Sequence, residues 1–435
     1  MKNNQAITNL IALLQASKSP YHCVDQVVKN LENSDFKVLS WEEPFEITPG
    51  EKYVVNTFGS TCFAISIGKD VAKDSIPSLR IITSHTDWPT FLIKPNPELK
   101  NENYGRLNTE PYGGAIYTSW LDRPLGIAGK VCIKTKNPFQ PKVLLFDSEK
   151  PVAIIPGLAI HMDRAINDGL KLNPQSHLLP LITMADSKET SDSEFFMNYL
   201  ANVLSCKKAD ILDYELNLYN SDEYSFVGLN EEYLSSPRLD NITSVSAALE
   251  AIKGAETSGN TICISAFYHN EEIGSRTKQG ADSILIATLL DRIFETLGLS
   301  KESQRCSLAK GLCLSFDVAH GTHPAYPEKN DITNKISLGD GIVIKQSARQ
   351  SYATDATYVS IIQGLCEQEK IAYCKFVNRS DVRGGSTLGN IVSSSTGIPC
   401  IDIGVPILSM HSARELMAVK DQLAINQLAN IFYQA

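Results

Sequence analysis

The chain is predicted to be an α/β protein: a mostly parallel sheet covered by helices, with an inserted β-rich domain. Short apolar runs such as Leu79 to Thr83 and Ile262 to Phe267 alternate with stretches of helical spacing such as Ile242 to Ile252, the pattern of strands joined by crossover helices. Between Lys94 and Pro237 this gives way to a Gly-, Asn- and Pro-rich stretch and then strand-like pieces. Residues 1–94 and 235–435 therefore read as one domain and 95–234 as an insertion. At 435 residues the chain also exceeds the size at which a single core stops growing.

Taken in order, Ile7, Leu10, Ile11 and Leu14 repeat at helical spacing, Ser19-Pro20 turns the chain, and Val24, Val27, Val28 and Leu31 mark a second helix. Tyr53 to Val55, Cys62 to Ile67 and Leu79 to Thr83 read as strands, the last delivering His85 at its carboxyl end. Within the insertion, strands are expected near Gly129 to Lys134, Lys142 to Phe146 and Val152 to Ile155, and the acidic run Ala185 to Glu194 as an exposed loop. After Pro237 come a helix at Ile242 to Ile252, a strand at Ile262 to Phe267 and a helix at Ile284 to Leu297. Strands at Gly311 to Phe316, Ile371 to Val377 and Cys400 to Gly404 follow, then a final helix over Arg414 to Tyr433.

Bulk composition narrows the function classes. An apolar fraction of 43% with 20% charged residues describes an ordinary globular chain. A net charge of -9 argues against a nucleic-acid surface, which draws on clustered Lys and Arg. The ten cysteines form no Cys-x-x-Cys pair and no dense framework, so they read as reduced and structural. The amphipathic N-terminal helix is unlike a signal peptide and no apolar run has transmembrane length. Together these predict a cytoplasmic protein without nucleic-acid or membrane partners.

The chemistry concentrates where apolar runs end. Glu271-Glu272 follows the Ile262 to Phe267 run, His85 and Asp87 follow Leu79 to Thr83, and Asp317 follows Gly311 to Phe316; Asp240 and His411 sit in Pro237-Arg238-Leu239-Asp240-Asn241 and Ser409-Met410-His411-Ser412. A lone Glu-Glu is ordinary surface, and a lone His is more often a satisfied core residue. Two imidazoles and several carboxylates converging at strand ends are a different matter, because ligands of α/β sheets gather there. The mix suits zinc, cobalt or manganese and carries enough anionic charge for two ions sharing one Asp.

Ser19-Pro20-Tyr21-His22, Ser84-His85-Thr86-Asp87, Trp120-Leu121-Asp122-Arg123, Ile155 to His161, Pro237 to Asn241, Asn270 to Ser275, Tyr352 to Ala356 and Ser409 to Ser412 occur in an order that resembles the aspartyl aminopeptidase family of dinuclear zinc exopeptidases. The resemblance runs from Ser19 to the C-terminus and implies a zinc-exopeptidase-type fold with an inserted dimerisation domain. It also implies two divalent metal ions per subunit, zinc first and cobalt or manganese as alternatives. Asp240 is implied to bridge the ions, with His85 and Asp317 on one and Glu272 and His411 on the other. Glu271 takes the role of general base, and Asp87, pointing to the same side as His85, that of orienting the imidazole or tuning the base.

The same resemblance gives His161 a role in a neighbouring subunit's site and assigns Lys345 and Tyr352 to substrate binding, Lys345 facing an acidic first residue. The partners implied are peptide substrates and further copies of the chain, in a homo-oligomer, a dodecamer built from dimers. Departures fall near the site: Trp88, Pro124, His269 and Arg383 stand where the family usually has other residues. Two other readings remain, a dinuclear dipeptidase or deacylase on a related fold and an idle oligomeric scaffold.

Overall fold

The computed structural model describes residues 4–184 and 194–435, so most of the expected Ala185 to Glu194 loop lies outside the described residues. Among them the main sheet has nine strands, in spatial order Lys37–Ser40, Lys52–Thr57, Thr61–Ile67, Thr261–Tyr268, Ser78–His85, Leu312–Phe316, Cys400–Gly404, Ile342–Lys345 and Tyr373–Phe376. Thr261–Tyr268, Ser78–His85, Leu312–Phe316 and Cys400–Gly404 pair in parallel. The flanks are mixed: Lys52–Thr57 meets Thr61–Ile67, Thr61–Ile67 meets Thr261–Tyr268, and Ile342–Lys345 meets Cys400–Gly404, all antiparallel. The outermost pairs, Lys37–Ser40 with Lys52–Thr57 and Ile342–Lys345 with Tyr373–Phe376, are again parallel; a tight hairpin joins Lys52–Thr57 to Thr61–Ile67 with no crossover helix between them.

Period-two alternation sends neighbouring side chains of the central strands to opposite faces. Cys263 and Phe267 join the core under the helices Gln5–Ala16, Pro20–Glu32, Leu239–Gly254 and Val419–Gln434. Ile262, Ile264 and Ala266 join the opposite core, under Leu285–Thr296 and Leu388–Thr396. Leu239–Gly254 is buried almost all round because it is packed between the sheet and two other helices. The first two helices begin where their sequences supply caps: Asn4 accepts from Ala6 N–H, and Ser19 accepts from His22 N–H with Pro20 in the first turn.

A second sheet, wholly antiparallel, runs in the order Lys142–Asp147, Leu125–Ile133, Ile211–Asn220, Thr90–Asn101, Tyr104–Tyr112 and Leu181–Met184. It has its own core around Phe91, Ile127, Phe146 and Leu218, closed by the helix Phe195–Val203. Its earliest strand in the chain, Thr90–Asn101, starts ahead of Lys94. A third sheet of short strands, Ser225–Val227, Tyr233–Ser236, Glu415–Ala418, Pro406–Leu408 and Ala319–His320, lies outside the sequence reading altogether. It corrects the final helix, which begins at Val419 rather than Arg414, since Glu415–Ala418 pairs with Tyr233–Ser236 and Pro406–Leu408. All ten cysteines are free, and no helix among the described residues is long and apolar enough to cross a membrane.

The carboxyl ends of the adjacent strands Thr261–Tyr268, Ser78–His85 and Leu312–Phe316 open on one side, where the chain next places Glu271, His85 and Asp317. Gly404 lets the neighbouring strand come close enough to fix the last of these. Asp317 N–H donates to Ile403 O at 3.0 Å, and a Cβ added at Gly404 would lie 1.5 Å from Asp317 O. Replacing Gly404 by Ala is therefore expected to destabilise the fold by ~1–3 kcal/mol, the usual range for overpacking. Urea unfolding measures this, and an unchanged midpoint would contradict the close approach.

Candidate metal centre

His85, the last residue of its strand, is 1% exposed, and its Nδ1 is turned to Asp87 O at 3.1 Å. That contact aims Nε2 at Asp240 Oδ1 (3.4 Å) and Asp317 Oδ1 (3.5 Å). On the other side His411 Nδ1 faces Gly114 O at 3.2 Å, aiming its Nε2 at Asp240 Oδ2 (3.5 Å) and Glu272 Oε2 (3.4 Å). The two oxygens of Asp240 thus face two different imidazoles.

These spacings suit a shared cation better than direct hydrogen bonds. Two donors at ordinary zinc distances in a tetrahedral shell lie about 3.3 Å apart, close to all four separations. Asp240 Oδ1 and Glu272 Oε1 are buried without a hydrogen-bond partner, an arrangement that is costly unless a cation completes it. His85, Asp240 and Glu272 each bring one ligand atom within 4.8 Å of the others. The donor set of imidazole and carboxylate fits zinc, with cobalt and manganese acceptable.

Around these groups the chain supplies a supporting layer. Asp87, fully buried, accepts Glu271 N–H and Glu272 N–H, each at 3.3 Å, and the Tyr112 hydroxyl at 2.6 Å. Glu415 accepts Asp240 N–H at 3.0 Å and His411 N–H at 2.9 Å. Sequence reasoning missed both Tyr112 and Glu415. Tyr112 arrives from the second sheet, its signal being only an aromatic ahead of Gly113-Gly114, and Glu415 was read as part of a helix.

Crowded carboxylates shape the electrostatics. Burial, reinforced by the carboxylates of Asp317, Asp87 and Asp240, pushes Glu271 up to about 8. Burial likewise raises Glu272 well above the usual carboxylate range, helped by Asp240. Burial alone would lower His85, but Asp240, Asp317 and Asp87 override it and hold the imidazole well above its ordinary value. His411, against the same burial, is raised to about 10, chiefly by Asp240 and Glu272. In Asp317 the cation of Lys345, 3.2 Å away, and His85 overcome burial and hold the carboxylate below its ordinary range.

A cavity of ≈ 290 Å³ opens onto this cluster, lined in part by His85, Asp240, Glu271, Glu272, Asp317 and His411. Lys345 and Tyr352, the expected substrate residues, line it too, with the Lys345 ammonium 5.2 Å from the Tyr352 ring centre. His161 does not join them: it is exposed in the second-sheet region and absent from the cavity wall of its own chain. Trp88 is buried beneath the Arg238 guanidinium, 5.5 Å from its ring centre, and lines not this cavity but a smaller hollow that also touches Asp240 and His411. His269 packs between Tyr21 and Tyr112, its Nδ1 3.0 Å from Ser60 Oγ, and Arg383 is exposed.

Known proteins resemble the chain along almost its whole length. The model of the Aminopeptidase I zinc metalloprotease (M18) family matches residues 13–433. A probable M18 family aminopeptidase 2 of Clostridium acetobutylicum is 40% identical over 436 residues, covering 100% of both chains. Among solved structures, the complex of Ape4 and Nbr1 contains a chain with TM-score 0.92 and 31% identity, covering 99% of this chain and 85% of that one. The mApe1 dodecamer of S. cerevesiae gives TM-score 0.83 at 26% identity, covering 98% and 96%. The architecture, the donor set and this full-length kinship agree, and the chain belongs to the M18 family of metal-dependent aminopeptidases, hydrolases that act as exopeptidases.

Proposed function

We propose that the chain removes the N-terminal residue of peptides at a centre for two divalent ions, zinc first, that share Asp240. The observation that carries this is the division of Asp240: Oδ1 faces His85 at 3.4 Å and Oδ2 faces His411 at 3.5 Å. His85 and Asp317 complete one half, Glu272 and His411 the other. When bound, such ions polarise the scissile carbonyl and ease ionisation of a water.

Glu271 serves as the general base. It faces the cavity, takes no part in either half, and has its backbone N–H anchored on Asp87. A carboxylate on the cavity wall and outside both halves is placed to accept the proton of the attacking water and hand it to the departing amine. Asp87 orients both His85 and the Glu271-Glu272 backbone.

The first residue of the substrate enters beside Lys345 and Tyr352. Lys345 favours an acidic side chain there, but it already shares its charge with Asp317, so the preference for Asp or Glu is a lean and neutral residues are accepted. Residues 1–94 and 235–435 form the catalytic domain and 95–234 an oligomerisation domain that makes dimers, assembled further into a dodecamer. The dodecamer of the similar mApe1 and the exposed Leu158, Ile160 and Met162 around His161 support this. His161 of the partner subunit then reaches the cavity and donates to the developing oxyanion. The free thiols fit a cytoplasmic setting.

Glu271→Gln is expected to lower kcat by at least ~100-fold, the scale of general-base catalysis, while zinc content stays at the parental level. Loss of zinc in that variant, or undiminished turnover, would remove Glu271 from the role. His161→Ala is expected to lower kcat with both metal content and subunit assembly retained. Parental activity in it would end the intersubunit assignment.

A further inference from the structure

The two halves of the centre are built differently. His85 ends one strand and Asp317 follows its hydrogen-bonded neighbour, with Ser315 paired to Thr83 just before them. Glu272 and His411 instead sit on a short turn and a loop, where the main sheet supplies no ladder to fix them. What touches both is a strap that leaves the last strand residue of Tyr104–Tyr112 and runs to Ser119.

The contacts of this strap are specific. Tyr112 donates its hydroxyl to Asp87 Oδ2 at 2.6 Å and accepts from Asn270 Nδ2 at 2.8 Å, so it clamps the turn carrying Glu272 from two sides. Asp87 passes the constraint on from the same oxygen, Oδ2, to Glu272 N–H at 3.3 Å, whereas His85 Nδ1 is turned to the Asp87 backbone O at 3.1 Å with Oδ1 farther off at 3.5 Å. Gly113 packs so tightly that an added Cβ would lie 3.2 Å from Glu272 Cβ. Gly114 O faces His411 Nδ1 at 3.2 Å, Ile116 N–H donates to His411 O at 3.0 Å, and Ser119 Oγ accepts from Ala413 N–H at 2.8 Å.

We propose that this strap, with Tyr112 as its positioning residue, sets the affinity of the Glu272–His411 half of the centre and leaves the His85–Asp317 half to the main sheet. The inference rests on the paired-ion reading above. It assigns the second sheet a task in the active site of its own chain: its strand Tyr104–Tyr112 anchors the strap, so a disturbance of that sheet reaches one ion before the other. A supporting contact of this kind orients a ligand without binding the ion, and its loss typically weakens binding 10- to 100-fold.

The test is equilibrium dialysis of the metal-stripped full chain against zinc, for the parent, Tyr112→Phe, His411→Ala and the double variant. The parent is expected to take up two ions. Tyr112→Phe is expected to keep one at parental affinity and to bind the other at least ~10-fold more weakly. The double variant should bind zinc no more weakly than His411→Ala alone, because both changes act on the same half. Ser119→Ala, which frees Ala413 N–H and removes the hydroxyl's bond to Ile116 O within the strap, should weaken the same ion to a smaller degree and guards against misfolding of the first variant. Parental affinity for both ions in Tyr112→Phe and Ser119→Ala, or equal weakening of both, overturns the assignment. A parent that takes up a single ion overturns the paired-ion reading itself, and the assignment with it.

Discussion

Asp87, Asp240, Glu271, Glu272, Asp317 and Glu415 meet in one buried region, where the cationic side chains at hand are His85, His411, Lys345 and, beside Glu415, Arg238. Carboxylates outnumber cations, and a buried ionised carboxylate without compensation is among the costliest arrangements a fold can hold. Protons offset part of that charge: burial pushes the Glu415 and Glu271 carboxyls up to about 8, and the neighbouring carboxylates raise both imidazoles. On the proposed reading divalent ions take over that task. The stability of this corner and its capacity for hydrolysis then share one cause.

The rest of the architecture serves to hold those charges apart at fixed distances. Parallel pairing at the centre of the main sheet brings three strand ends together, and Gly404 permits the backbone approach that fixes Asp317. The third sheet contributes Glu415, whose two hydrogen bonds lock the backbones of Asp240 and His411. The second sheet contributes Tyr112 and the two glycines behind Glu272 and His411. Three sheets distant in sequence thus converge on a handful of oxygens and nitrogens. A catalytic group placed this way relies on groups that never touch substrate.

Much of this was legible in the chain and some was not, for physical reasons. His85, Glu271 and Asp317 stood out because each follows an apolar run long enough to read as a strand, and strand ends are where α/β sheets bind ligands. Helices such as Leu239–Gly254 and the buried strands between them were visible through their periodicity. The third sheet was not, because strands of two to four residues such as Ala319–His320 and Glu415–Ala418 are too short to display a period. Hence Glu415 was absorbed into the following helix. Lys345 was noticed, but its 3.2 Å pairing with Asp317 depends on strand order across the sheet, which no local pattern encodes. Tyr112 was invisible for the same reason, since its partner Asp87 lies across a boundary between two sheets.

The central claim is that Asp240 divides between two ions. Anomalous diffraction at the zinc edge, from crystals of the zinc-reloaded protein, tests it directly. Two peaks per chain are expected, one within ligand distance of His85, Asp317 and Asp240 Oδ1 and the other within reach of His411, Glu272 and Asp240 Oδ2. A single peak under saturating zinc, or a second peak away from Asp240, would contradict it.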